Sequence, residues 1–312
     1  TDHLPDLVGA RALQPLGSLA TAPLAASGWS AFTTRDGRRW AVPFSRDVQL
    51  VFYNPALVAV PRRGWDLDEM ERLAAPLAAR GLVPMAWNAY SAYWLLPFQL
   101  GFGKEEIVRA DGSMLVDDEA TAPPVAYLGG LVRRGLLAVV ERDAMVGLFA
   151  AGKAGLILSG SYSIPELRAA RLDFGVASFP RAADGRPLAS LLDYKGFAVS
   201  RTTQNPLLAR RLAQYLARPD VQLSFARAVE KLPASEGATA AYLAASPYGP
   251  VLAESLATAT LIPPEPVYGT YRNAMWNLLR LVFAGEMSAS EALRVGQRSV
   301  DGAAGSAHGG SR

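Results

Sequence analysis

The sequence predicts an α/β protein. Apolar runs of strand length alternate with amphipathic helical stretches along the chain. Two capping boxes, Asp66/Glu69 and Ser288/Glu291, mark helix starts. No fixed-period repeat competes with that organisation. At about 150 residues per domain, 312 residues suit roughly two domains. Half the residues are hydrophobic and 19% are charged, so core material is ample.

The opening LPDLVGARALQPL gives a short helix ending near Gly9, then an apolar strap. RDGRRWAVPF reads as a hairpin turning at Asp36-Gly37, with Trp40, Val42 and Phe44 alternating on one face. Val48 to Asn54 is a nearly continuous apolar run, as in a buried strand. Asp66 then caps a helix whose stripe is Leu67, Met70, Leu73, Ala74 and Leu77. Trp65 and Met70 form its hydrophobic staple and Gly81 its stop. The strand LVPMAW and the aromatic segment NAYSAYWLLPF come next. Helices are expected over Thr121 to Gly135 and Met145 to Ala151, and a short strand over Gly155 to Gly160. Pro165 suits the first position of the next helix. DFGVASFP and KGFAVS read as strands, and Pro206 to Leu216 and Val221 to Glu230 as helices. The final pair is Tyr271 to Ala284 and Ser288 onward. From Asp301 the Gly/Ser/Ala-rich end offers no apolar pattern, so residues 301–312 are expected to be disordered.

Composition excludes several chemistries. There is no cysteine, and the two histidines, His3 and His308, sit at the chain ends. Thiolate metal sites, disulfides and a Ser-His-Asp triad therefore lack their parts. A net charge of +3 provides no basic stripe for nucleic acid. Apolar runs break well before the ~18 residues a membrane span needs. The first residue is Thr, which implies a processed chain or a fragment. GLFAAGKA, Gly147 to Ala154, has P-loop spacing, but Ala154 replaces the magnesium-binding hydroxyl and a helix precedes the Gly-Lys instead of following it. It reads as a helix stop with a solvated lysine. Scattered carboxylates leave a facing pair, as a glycosidase needs, open.

Aromatic residues cluster where elements end: Tyr90, Tyr93 and Trp94 after one strand, Tyr162 after GLILSG, and Tyr268 and Tyr271 after a proline-rich stretch. Ligand sites of α/β sheets lie at the carboxyl ends of strands. Tyr and Trp offer a sugar ring a flat apolar face and a polar tip.

Several blocks together resemble a family. WAVPFSRDVQLVFYNPALV before Trp65-Asp66, LFAAGKAGLILSGSYSI, FGVASFPRAADGRP and KGFAVSRTTQNPLLARRLAQYLARPDVQLSFARAVEKLPA succeed one another. Their order resembles the bacterial extracellular solute-binding proteins of the maltose/maltodextrin-binding class (family 1), which serve ABC importers. Ser161 and Tyr162 stand where that family has Pro and Trp. The chain's start resembles the stretch just past the family's first strand, helix and strand, so about two βα units of ~30 residues each are expected to be missing.

The resemblance implies a two-lobed type II periplasmic binding protein fold with a hinge and an incomplete smaller N-terminal lobe. That lobe would hold 1–45 plus 195–247, and the larger C-terminal lobe 50–188 plus 264–300. Crossings would fall near Ser45 to Leu50, Leu188 to Lys195 and Pro247 to Pro264. An oligosaccharide of the maltose/maltodextrin type would bind in the interlobe cleft and pass to the membrane permease subunits. No catalysis, cofactor or metal is implied. Location would be periplasmic or otherwise extracytoplasmic, as a monomer, with a lipid anchor through a segment outside this chain left open. Carried over residue by residue, Asp2 and His3 match a sugar-bonding Asp-Arg pair, with Arg lost. Asp47 matches an acidic cleft residue. Tyr93 matches a stacking aromatic, and Ser91 lies where a carboxylate is common. Tyr162 takes the stacking-Trp position, and Tyr271 and Arg272 bracket a second one. Asp193 is assigned by spacing on the second crossing. Tyr90 and Tyr268 complete the candidate set. A solute-binding protein for a non-sugar or charged ligand, salt-bridged by Asp47, Asp193 and Arg272, and a carbohydrate-acting enzyme with paired carboxylates remain alternatives.

Overall fold

The computed structural model describes residues 3–17, 24, 26–60 and 64–309. Asp2 lies outside the described residues. In chain order the elements are α1 (Leu4–Gly9), β1 (Leu13–Gln14), α2 (Ala26–Ser30), β2 (Ala41–Tyr53), α3 (Leu67–Ala74), α4 (Pro76–Ala79), β3 (Val83–Trp87), α5 (Ala92–Gly101), α6 (Ala122–Arg133), β4 (Leu137–Val139), α7 (Arg142–Ala150), β5 (Ala154–Gly160), α8 (Ser163–Ala169), β6 (Gly175–Ala177), β7 (Leu191–Ser200), α9 (Pro206–Leu216), α10 (Pro219–Val229), β8 (Leu232–Pro233), α11 (Glu236–Ala245), α12 (Gly249–Ala257), β9 (Thr260–Leu261), α13 (Pro266–Ala284) and α14 (Ala289–Gly309).

The chain forms two compact units. The first holds Thr1–Val48, Gly160–Pro165 and Leu192–Pro266; the second holds Gln49–Ser159, Glu166–Leu191 and Val267–Arg312. Relative to the lobes expected from the sequence, Gly160–Pro165 and the stretch after residue 247 group with the first unit.

In the first unit β7 runs antiparallel to the first half of β2, and β8 pairs β2 on its other side. β1 and β9 both pair β7. Phe44 packs edge-on against Phe197 at 4.9 Å and against Phe225 of α10 at 4.7 Å, which ties sheet to helix. Gln222 of α10 fastens β8 to β2. Its Nε2 donates to Pro43 O at 3.0 Å, while its Oε1 accepts from Ala234 N and Ser235 N at 3.1 and 2.8 Å. α9 buries Ala213 and leaves Leu207, Leu208, Leu212 and Tyr215 exposed.

In the second unit β3 is central, parallel to β4 and to β5. β5 neighbours β2, whose end pairs antiparallel with β6. Strands covered on both faces read as unbroken apolar runs, and β5 is buried throughout. Gly155 fits because a Cβ there would collide with the Leu77 side chain and crowd Pro84 O.

The Asp66 cap is present, with its Oδ1 accepting from Glu69 N at 2.7 Å. The helix it starts is shorter than the stripe suggested, because Pro76 lacks the N–H that would continue it, and the chain restarts as α4. α8 begins at Ser163, so Pro165 is its third residue; a missing N–H costs nothing within the first four positions. The hairpin at Asp36-Gly37 reduces to one bridge, Thr33 to Arg39, with Gly37 at φ +77. The P-loop spacing sits as expected for a helix stop: α7 ends, Gly152 turns at φ +66, and β5 begins. α14 is drawn through to Gly309, and residues 310–312 of the expected tail lie outside the described residues. Among the described residues no helix is long and apolar enough to cross a membrane.

Candidate functional site

β2 and β7 set the site in the first unit. Their register makes Asp47 and Asp193 direct cross-strand partners. Two residues on, Lys195 shares a face with Asp193, since strand side chains alternate. On the other side of β2, Ser45 and Arg46 pair with Pro233 and Leu232, which brings Lys231 level with Asp47. The result is a row across three strand lines: Lys231, Asp47, Asp193, Lys195.

Asp47 is buried, at 2% exposure. Its Oδ1 accepts from Ser161 Oγ at 2.9 Å, and its Oδ2 lies 3.6 Å from Lys231 Nζ. Burial pushes the carboxyl above its ordinary range; Lys231, the Ser161 hydroxyl and Lys195 oppose that, and Asp193 adds to it. Asp193 pairs with Lys195 Nζ. Lys231 is aimed by the end of α10, where Glu230 turns left-handed at φ +54 and Lys231 N donates to Ala226 O at 3.2 Å.

The turn after β5 brings in the aromatic. Ser161 N donates to Val48 O at 2.8 Å, and Ser161 Oγ accepts from Val48 N at 3.3 Å, so residue 161 is pinned to β2 on both groups. Tyr162 comes next, half-buried. Gly160 gives the ring its room: a Cβ there would overlap the Tyr162 ring edge and push it aside. Behind the row, Arg46 donates to Tyr194 OH at 3.1 Å and Thr239 Oγ1 at 2.8 Å, which stiffens the strand that carries Asp47.

The structure therefore pairs Asp47 with Asp193 and ties Ser161, the residue before Tyr162, to Asp47. Lys195, Lys231 and Ser161 belong with them and were not among the sequence candidates. A sequence signal existed for Lys195, two residues from Asp193 on one strand face. Lys231 becomes visible only through strand register.

The other described candidates are taken unit by unit. His3 is exposed beside α1 in the first unit. Tyr90, Ser91, Tyr93, Tyr268, Tyr271 and Arg272 lie in the second unit. Tyr90 stacks on Phe283 at 5.7 Å, with Arg280 over its ring at 5.2 Å. Ser91 stands at the start of α5, and Tyr93 is half-buried against Trp94, its carbonyl accepting from Gln49 Nε2 at 2.7 Å. Tyr268 and Tyr271 are 2% and 1% exposed and serve the core of α13, so neither offers an open stacking face. Tyr271 donates its hydroxyl to Gln99 Oε1 at 2.9 Å, and burial raises its phenol. Arg272 sits over the Tyr268 ring at 5.8 Å. Among the described residues no cluster of His, Cys, Asp and Glu could hold a metal ion.

The row can donate from two ammonium groups and accept at two carboxylates. Its formal charges cancel, and an aromatic ring stands one residue from the Ser161 contact. Such a set suits hydrogen bonding to hydroxyls beside a flat apolar face.

Comparison with known proteins agrees with this architecture. The galactooligosaccharide-binding protein of Bacillus subtilis (strain 168) is 23% identical over 193 residues, covering 58% of this chain and 46% of that protein. The chain spans about half the length of the curated relatives it matches. The maltotriose-binding protein of Thermus thermophilus, solved with maltotriose, superposes with a TM-score of 0.84 at 23% identity, covering 97% of this chain and 83% of that one. The maltose/maltodextrin-binding domain MalE of Bdellovibrio bacteriovorus, also bound to maltotriose, gives 0.83 at 20% identity, covering 97% and 82%. These likenesses fix the fold as the type II periplasmic binding fold. Residues 1–260 match the family described as bacterial extracellular solute-binding protein, and that span is most of the chain. The chain belongs to the bacterial extracellular solute-binding protein family.

Proposed function

We propose that this chain is the solute-binding component of an ABC importer and takes a neutral, maltodextrin-like oligosaccharide. The observation that carries the reading is the row of Asp47, Asp193, Lys195 and Lys231 beside Tyr162. Sugar hydroxyls donate to the carboxylates and accept from the lysines, and the Tyr162 ring covers an apolar sugar face. Relatives named for galactooligosaccharide and maltodextrin, and solved structures holding maltotriose, support an oligosaccharide. The solute is held and released unchanged, outside the cytoplasm, by a monomer that delivers it to permease subunits.

The test is a thermal-shift panel of neutral maltodextrins, galactooligosaccharides and charged solutes, with chromatography of each ligand afterwards. A neutral oligosaccharide that raises Tm and is recovered intact is the expected result. A shift from charged solutes alone would overturn the reading.

A further inference from the structure

We infer that Lys231 sets the charge preference of the site, admitting uncharged polyhydroxylated ligands and rejecting cationic ones. This rests on the oligosaccharide reading above.

Asp47 is buried, and the charged groups that act on it are Lys231, Lys195 and Asp193. Two carboxylates face each other across the β2–β7 register, and one lysine answers each: Lys231 at 3.6 Å from Asp47, and Lys195 paired with Asp193. The row is thus neutral before any ligand arrives.

Position makes Lys231 the decisive member. The Ser161 hydroxyl occupies Asp47 Oδ1, so Oδ2 is the oxygen that faces Lys231. The Lys231 side chain is 31% exposed, so it lies between a buried carboxylate and solvent. A hydroxyl can donate to Asp47 and accept from Lys231 without disturbing either. An ammonium ligand seeking Asp47 meets Lys231 as a like charge, or must push it away and leave it unpaired. Selectivity arises from that repulsion as much as from the attraction. The left-handed Glu230, and the Gln222 bonds to Pro43 of β2 and to Ala234 and Ser235 just past β8, hold Lys231 at this place.

The experiment compares Kd for maltotriose with Kd for maltotrioses carrying one 6-amino-6-deoxy group, substituted on each ring in turn. The full chain is used, with Lys231→Met and Lys231→Arg variants, each checked by Tm. The parent should prefer maltotriose over every aminated analogue by about tenfold or more. Lys231→Met should narrow or reverse that ratio for at least one analogue, and Lys231→Arg should restore it. A general structural loss would weaken all ligands alike and leave the ratio unchanged, and that outcome overturns the inference alone. Failure of the parent to bind maltotriose overturns the oligosaccharide reading and this inference with it.

Discussion

Asp47 on β2 and Asp193 on β7 are register partners, two carboxylates directly opposed on neighbouring antiparallel strands. Like charges so placed repel. The fold keeps them by flanking the pair with Lys231 and Lys195 and by giving Asp47 the Ser161 hydroxyl. Stability alone would favour apolar residues at a buried strand position, which is why function is the better account of the row.

Asp47→Asn separates the two roles. Burial, the largest influence, raises the Asp47 carboxyl above its ordinary 3.8. A carboxyl raised in the folded state is a burden above its folded pKa, and its contribution improves as pH falls through that value toward the unfolded one. The amide removes this burden. Tm at pH 7 should therefore hold or rise, while maltotriose affinity drops about 10–100-fold. A variant losing Tm and affinity together would make Asp47 a structural group.

Tyr162→Ala removes the ring seated on Gly160. Maltotriose affinity should fall by about 1.5–3 kcal/mol, the worth of a largely buried aromatic face. Tm should change little, because the ring is only half-buried. Titration calorimetry of the variant reads both affinity and stoichiometry, and parent-like binding would remove Tyr162 from the site.

Asp118 is a partly exposed carboxylate tied into the second unit. Its Oδ2 lies 3.3 Å from Lys104 Nζ, whose side chain is buried, and its Oδ1 accepts from Ala120 N at 2.8 Å. Burial already lowers the Lys104 amine. Lys104 Nζ also donates to the Leu115 carbonyl, so Asp118→Ala removes its counter-charge but not that bond, and should cost roughly 1–3 kcal/mol of stability by denaturant unfolding. Sugar affinity should stay within about twofold of the parent. A cost below about 0.5 kcal/mol would show that Lys104 gains nothing from Asp118.

Alkaline unfolding tests the second unit's core. Burial raises the phenols of Tyr271 and Tyr127 above the ordinary 10.0. Their stabilising contribution is complete below the unfolded pKa and is lost as pH climbs past it. Each should cost about 1.4 kcal/mol per pH unit above roughly pH 10. Tyr271→Phe should flatten that slope, read as Tm against pH from 9 to 11. An unchanged slope would mean that this phenol titrates normally in the folded protein.

The sequence exposes features that local chemistry dictates. Asp66 and Glu69 place a helix start to the residue, and Pro206 opens α9 where its fixed φ suits a first turn. α11 and α12 escape notice because EGATAAYLAA and GPVLAESLA carry too many alanines for an apolar stripe to stand out. β7 begins earlier than KGFAVS suggests, since Asp193 and Lys195 interrupt an apolar strand with charge. Of the proposed site, Asp47 and Tyr162 are named through the resemblance. Lys231 is not, because only the β2–β8 register makes it Asp47's neighbour. Tyr268 and Tyr271 mislead for the opposite reason. An aromatic at a helix start reads alike whether its ring faces solvent or core, and packing decides.

The most direct test is titration calorimetry of the unaltered chain with maltotriose, followed by chromatography of the recovered sugar. The account predicts saturable binding at one site per chain and maltotriose returned intact. Absence of binding by any neutral oligosaccharide while a charged solute saturates the site, or recovery of shortened sugar, would contradict it.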